Sequence, residues 1–295
     1  MKIFELPDET RVSRVNLRTA NLARALDFYQ RVLGLTLRQR GASAASLSAS
    51  EDGPVLLVLT EDANAAPRPQ RATGLYHSAI RFPERRDLAH AVLRIISAEY
   101  PTEGASDHGM GESIHLNDPD GNGVELYVDR ARADWPMRSG RLQMITRPLD
   151  LDSLIATADQ RSFSATAPVG TDIGHINLHV ADLKEAERFF HEFLGLAVTA
   201  RIGHSATFLA AGGYHHHVAV NTWSGKKRAP ANSVGLISYR LALPNAQVLA
   251  ELRERARWFG YEARTPGEIV QLRDPNGNWL ELGRMERSIE KASRI

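Results

Sequence analysis

His77, Glu125 and His175 are of residue types that can hold a metal ion, and they stand at repeated strand positions of a sequence that is written twice. LDFYQRVLGL from Leu26 recurs as ERFFHEFLGL from Glu187, and GLYHSAIRFP from Gly74 recurs as GLISYRLALP from Gly235, each 161 residues on. DPDGNGVEL from Asp118 recurs as DPNGNWLEL from Asp274, an offset of 156, so the second copy has lost five residues from a loop. A near-constant offset across separated blocks marks duplicated architecture. At equivalent positions the first copy has Arg14, His77 and Glu125, and the second has His175, Ser238 and Glu281. Neither copy alone holds two histidines and a carboxylate; together they do. Two neutral imidazoles and one carboxylate on one face of an octahedral ion are the donor set of non-haem Fe(II), with adjacent positions left open.

For any one of these residues the ordinary reading is structural. Glu125 alternates with Val124 and Leu126 in a strand pattern and could pair with Arg81, and buried histidines are commonly satisfied by backbone groups. An unpartnered buried carboxylate is costly, so Glu125 needs a cation of some kind. The joint occurrence of all three at duplicated strand positions favours the metal.

The elements that must position them form one unit four times over. Strand 12–19 and a helical pattern over 22–33, stopped by Gly34, open the first unit. Strand 76–82, helix 87–98 and strands 113–116 and 124–128 make the second, with DPDGNG as a hairpin turn. The third runs from strand 173–180 through helix 184–193 to strands near Thr207 and over 217–221. Strand 237–243, helix 246–259 and strands 269–272 and 279–282 complete the fourth. Each unit reads βαβββ, an α+β pattern. Residues 1–130 and 171–295 then form two domains, joined by a connector over 131–170 with a short helix near 151–158. The charged tail after Gly283 reads as a solvated helical end.

Composition narrows the classes. A chain of 295 residues exceeds what one core usually supports. With 36 basic and 35 acidic residues, there is no charge footprint for nucleic acid or an anionic membrane. No apolar run approaches a membrane span, and MKIFELPDET lacks a signal-peptide pattern, so a cytoplasmic protein is expected. The absence of cysteine excludes disulfides, thiolate-held metals and thiol catalysis.

GHINLHVADLKEAERFFHEFLGL, GLYHSAIRFP and DPDGNGVELYVDR resemble the vicinal oxygen chelate superfamily of paired βαβββ modules. With GGYHHHVAVNTW from Gly212, nearly all of residues 11–283 resembles two-domain bacterial extradiol dioxygenases of the catechol 2,3-dioxygenase type. The resemblance implies two vicinal oxygen chelate domains and a metal held by His77, Glu125 and His175, with His179 the alternative to His175. It also implies that the second module pairs with the third and the first with the fourth, across the repeat. Extradiol enzymes with all ligands in the C-terminal half differ in this respect. Arg14 and Ser238 should leave Glu281 at a second site without metal.

The implied metal is Fe(II), with Mn(II) as the alternative, and the implied partners are a small aromatic diol and O2. A homo-oligomer is left open. His216 aligns with the family's acid–base histidine, and on a strand it would face away from His215 and His217. His108 matches a histidine that binds a substrate hydroxyl. His115 stands where the family usually has tyrosine. Glyoxalase-type isomerases, thiol transferases acting on fosfomycin, hydroquinone dioxygenases and metal-free antibiotic-binding proteins are the competing readings; the extra histidines favour oxygen chemistry.

Overall fold

The computed structural model describes residues 4–158 and 164–285; the tail expected as a helical end lies, beyond Met285, outside the described residues. The first module comprises β1 (Arg11–Thr19), α1 (Leu22–Asp27), β2 (Thr36–Arg40), β3 (Ala44–Ser48) and β4 (Leu57–Glu61). The second comprises β5 (Ala72–Phe82), α2 (Arg85–Ser97), β6 (Gly104–Asp107), β7 (Gly111–Asn117) and β8 (Gly123–Asp129). A connector follows with β9 (Met137–Arg138), β10 (Arg141–Leu142), β11 (Arg147–Pro148) and α3 (Leu151–Ile155). The third module contains β12 (Asp172–His179), α4 (Leu183–Glu187), β13 (Ala197–Ile202), β14 (Ala206–Ala210) and β15 (Val218–Asn221). After a short β16 (Lys227–Arg228), the fourth contains β17 (Gly235–Leu243), α5 (Ala246–Phe259), β18 (Ala263–Arg264), β19 (Val270–Arg273) and β20 (Trp279–Arg284). The α+β class and the four βαβββ modules follow from this order.

Local chemistry starts and stops the helices. The side chains of Asn21, Asp182 and Asn245 accept from the first-turn amides of α1, α4 and α5, which satisfies donors a helix cannot bond internally. The helix expected over 22–33 is α only to Asp27 and then widens into a π turn, Phe28–Val32. The repeat does the same at Arg188–Phe193. The wider turn buries Phe28 and Tyr29 in one copy and Phe189, Phe190 and Phe193 in the other. Both segments end on a glycine of positive φ, Gly34 and Gly195.

Strand pairing crosses the repeat. One sheet runs β18-β19-β20-β17-β1-β4-β3-β2 and so joins the fourth module to the first. The other runs β11-β6-β7-β8-β5-β12-β15-β14-β13 and joins the second to the third, with β16 on β5. One continuous apolar core, with Leu17, Leu59 and Leu241 of the first sheet and Leu126, Ile176 and Leu209 of the second, underlies both. The connector does more than span. β11 extends the second sheet by pairing with β6, and Trp135 and Leu142 pack with Met110, Ala210 and Tyr214 in a small separate cluster. Among the described residues, no helix is long and apolar enough to cross a membrane.

Candidate metal centre

Register across three neighbouring strands assembles the cluster. His175 on β12 lies opposite Ala79 on β5, and Ala79 lies beside Glu125 on β8. His77 is two residues before Ala79 and therefore on the same face. The methyl group of Ala79, fully buried, leaves His175 and Glu125 free to converge above it. Glu125 Oε2 is 2.9 Å from His175 Nε2 and 3.0 Å from His77 Nε2, and the two Nε2 atoms are 3.2 Å apart. All three residues are buried.

This near-equilateral triangle fits an octahedral ion, because donors about 2.1 Å from such an ion stand roughly 3.0 Å apart at adjacent positions. Burial holds the His175 imidazolium down, to a pKa of about 4, so the ring is neutral and its lone pair available at neutral pH. Burial pushes Glu125 up, but hydrogen bonding and electrostatic interaction with His175 and His77 outweigh it and hold its pKa well below the usual carboxylate range. Arg81 does not partner Glu125; its guanidinium is bound to Asp129 and Asp172. His115 also approaches, and with His77 and Glu125 it forms a trio whose donor atoms lie within 4.8 Å of one another. His115 Nε2 is nevertheless 3.9 Å from Glu125, against 2.9 Å for His175, so His175 completes the tighter face.

The equivalent row of the other sheet is built differently. Arg14 on β1 lies opposite Arg240 on β17, and Arg240 beside Glu281 on β20. Arg240 thus occupies the position of Ala79. Its guanidinium binds Glu281 Oε2 at 3.0 Å, and Ser238 Oγ donates to Oε1 at 2.9 Å. Asn16 also donates to Ser238. Glu281 therefore already has a cation, supplied by the residue that repeats Ala79, a substitution visible in GLISYRLALP and missed by reading only the ligand positions.

A cavity of about 540 Å³ opens on the first cluster and is also lined by His108, His115, His215 and His216. His108 Nδ1 is 3.1 Å from Ile145 O, and His115 Nε2 is 3.1 Å from Ser113 Oγ. The ring of His216 lies 4.1 Å from that of His175, tilted by 49°. The expected alternation of His215, His216 and His217 does not hold, because β15 starts only at Val218. Gly212 and Gly213, both with positive φ, turn the chain here, so that His215 and His216 both line the cavity. His217 instead faces the turn, accepting from Ala211 N at 3.2 Å. His179 lies outside the cluster: its Nδ1 is 2.6 Å from Asn221 Oδ1, and its ring is 4.8 Å from Tyr76 in a neighbouring cleft.

Behind the cavity lies a polar network that sequence reasoning passed over. His215 Nε2 is 2.9 Å from Asp129 Oδ1, and His215 Nδ1 is 2.7 Å from His216 Nδ1. Tyr214 donates to Asp129 at 2.9 Å and meets Tyr127 at 2.8 Å. Burial raises the Asp129 pKa, but the hydrogen bonds of His215 and Tyr214 and the charge of Arg81 outweigh it and hold it below the usual carboxylate range. Burial, followed by the neighbouring His175 and His215, keeps His216 well below the ordinary histidine range. Tyr127 follows Glu125 by two residues, so its presence on the same face could have been read from the strand period.

Residues 11–126 and 172–282 match the Glyoxalase/Bleomycin resistance protein/Dioxygenase superfamily. A catechol-2,3-dioxygenase of Bacillus subtilis (strain 168) is 38% identical over 275 residues, covering 91% of this chain and 95% of that protein. Biphenyl-2,3-diol 1,2-dioxygenase 2 of Rhodococcus globerulus is 27% identical over 117 residues, 40% of this chain and 62% of its own length. The solved structure of glyoxalase I from Zea mays shares the fold at a TM-score of 0.59 and 16% identity, covering 94% of this chain and 92% of that one.

Proposed function

The chain belongs to the Glyoxalase/Bleomycin resistance protein/Dioxygenase superfamily, and from that premise we propose that it is a cytoplasmic extradiol ring-cleaving dioxygenase of the catechol 2,3-dioxygenase type. The reading takes His77, Glu125 and His175 as ligands of Fe(II), with Mn(II) the alternative, and a catechol and O2 as substrates. The observation that carries it is the triangle of donors at 2.9, 3.0 and 3.2 Å at the floor of a cavity. The full-length similarity to a catechol-2,3-dioxygenase supports it. When bound, the metal supplies a point of attachment for the two catechol oxygens and a path for electrons from the ring to O2. Cleavage beside the hydroxyl pair places both oxygen atoms in a muconic semialdehyde.

The protein's own residues handle protons and water. In this reading Asp129 accepts from Nε2–H of His215, leaving the His215 Nδ1 lone pair to accept from Nδ1–H of His216. That arrangement fixes the His216 tautomer with its lone pair on Nε2. A proton taken at Nε2 releases the one at Nδ1 to His215, whose imidazolium then sits against Asp129. The charge thus comes to rest beside a carboxylate instead of in the buried ring of His216. In this reading His108 and His115 orient the substrate hydroxyls, and Met110 and Phe208, which line the cavity, exclude water from the reacting groups.

The test is anaerobic loading with Fe(II) followed by catechol and air. A yellow semialdehyde formed in proportion to O2 consumed is expected. Turnover of hydroquinone alone, or oxygen-independent chemistry on glutathione adducts, would sink the reading.

A further inference from the structure

Resting on the ring-cleaving reading of the same site, we propose that the cavity selects catechols with a neutral, apolar alkyl or aryl substituent and rejects those bearing a carboxylate. The first argument is size. An apolar cavity of about 150 Å³ is enough to hold a benzene ring, and this one measures about 540 Å³. A bare catechol on the metal ligands leaves most of the space to be filled by something else.

The second argument is the lining. Met110, Met144 and Phe208 form walls of the cavity. Three large apolar side chains that folding leaves exposed, Tyr76 at 39%, Ile202 at 41% and Trp223 at 49%, all belong to the same lining. Apolar surface kept in water around a binding cavity is explained when a ligand covers it.

The third argument is charge. Among the described residues, no lysine or arginine lines this cavity, and apart from Glu125 its one carboxylate is Glu103. A carboxylate on the substrate would lose its water and find no lysine or arginine in the lining to replace it. Arg68 and Arg71 line the cleft on the other side of Tyr76, where Arg68 donates to the carbonyls of Leu75 and Ala72. Arg81 and Arg130 are bound to carboxylates.

Fe(II)-loaded protein is compared on catechol, 4-isopropylcatechol and 3,4-dihydroxybenzoate, by kcat/KM in air and by calorimetric binding without oxygen. The isopropyl compound should exceed catechol by about tenfold in both measurements, and 3,4-dihydroxybenzoate should fall at least tenfold below catechol. Ile202→Arg, a change at an exposed position that folding tolerates, should narrow the gap for the carboxylated compound at least threefold. Binding and cleavage of 3,4-dihydroxybenzoate as effective as those of 4-isopropylcatechol would overturn this proposal and leave the ring-cleaving reading intact. An unchanged ratio in Ile202→Arg would overturn the part given to the cavity lining. If no catechol is cleaved at all, the ring-cleaving reading fails and this proposal fails with it.

Discussion

Alanine at position 79 and arginine at its repeat, position 240, put opposite demands on the same place in two sheets. A methyl group leaves Glu125 in need of a cation from outside, whereas the Arg240 guanidinium gives Glu281 one from within. His77→Ala or Glu125→Ala should therefore abolish metal retention and ring cleavage while the protein still folds, as metal analysis and activity would show. Arg240→Ala should keep the metal and cost about 3–5 kcal/mol of stability, because it strands a buried carboxylate. A metal-free Arg240→Ala protein that remains folded would contradict the assignment. The proton chain is tested at the same scale. His216→Ala should lower kcat by about 10²–10⁴-fold at full metal content. Asp129→Asn removes the charge that supports imidazolium at His215; kcat should fall and the acid limb of its pH profile should move to lower pH. A fall in kcat with an unmoved limb would indicate a structural role only. The candidate ligands were legible because a repeat exposes what each copy lacks. Asp129 was not, because its partner His215 is 86 residues away and nothing local marks the pair.

At the scale of elements, the βαβββ order was legible from hydrophobic period and turn residues, since each module alternates the two periods in the same sequence. Two departures have local causes. The π turns at Phe28–Val32 and Arg188–Phe193 leave the apolar spacing nearly helical and so read as ordinary helix. The segment of three histidines reads as strand, yet the glycine pair before it breaks the extended backbone. Turns also carry chemistry of their own. In DPNGNW, burial pushes the Asp274 carboxyl up to about 6, against hydrogen bonds from Asn276 and Asn278 that favour the charge. Its folded pKa exceeds the unfolded value, so the folded state binds more protons between about pH 4 and 6 and stability falls as pH rises through that window. Asp274 lies in the sheet without the candidate ligands, so metal loss does not obscure the effect. Asp274→Asn should flatten the fall, which amounts to about 3 kcal/mol for a shift of this size. Thermal melts of both proteins from pH 4 to 7 give the comparison, and identical pH slopes would refute it.

Over the whole molecule, the repeat boundary and the folding boundary do not coincide. The division into 1–130 and 171–295 separates the two copies of the sequence, but each sheet is closed by one strand set from each copy, β17 on β1 and β12 on β5. The apolar core runs without a break beneath both sheets. Neither sheet can be lost while the other keeps its two edges of origin, so unfolding should be a single transition. A lesion in the sheet without the candidate metal should then weaken the one that holds it. Arg240→Ala provides that lesion at a site remote in register from His77, Glu125 and His175. Heating should release the metal and change the tryptophan fluorescence at one temperature in the parent, and both events should move down together in the variant. At about 2–4 °C for each kcal/mol in a chain of this size class, the shift is large enough to resolve. Metal release that stays at the parental temperature while tryptophan fluorescence changes earlier would show that the two sheets fold independently, and the shared core would then have to be treated as an interface between separate units.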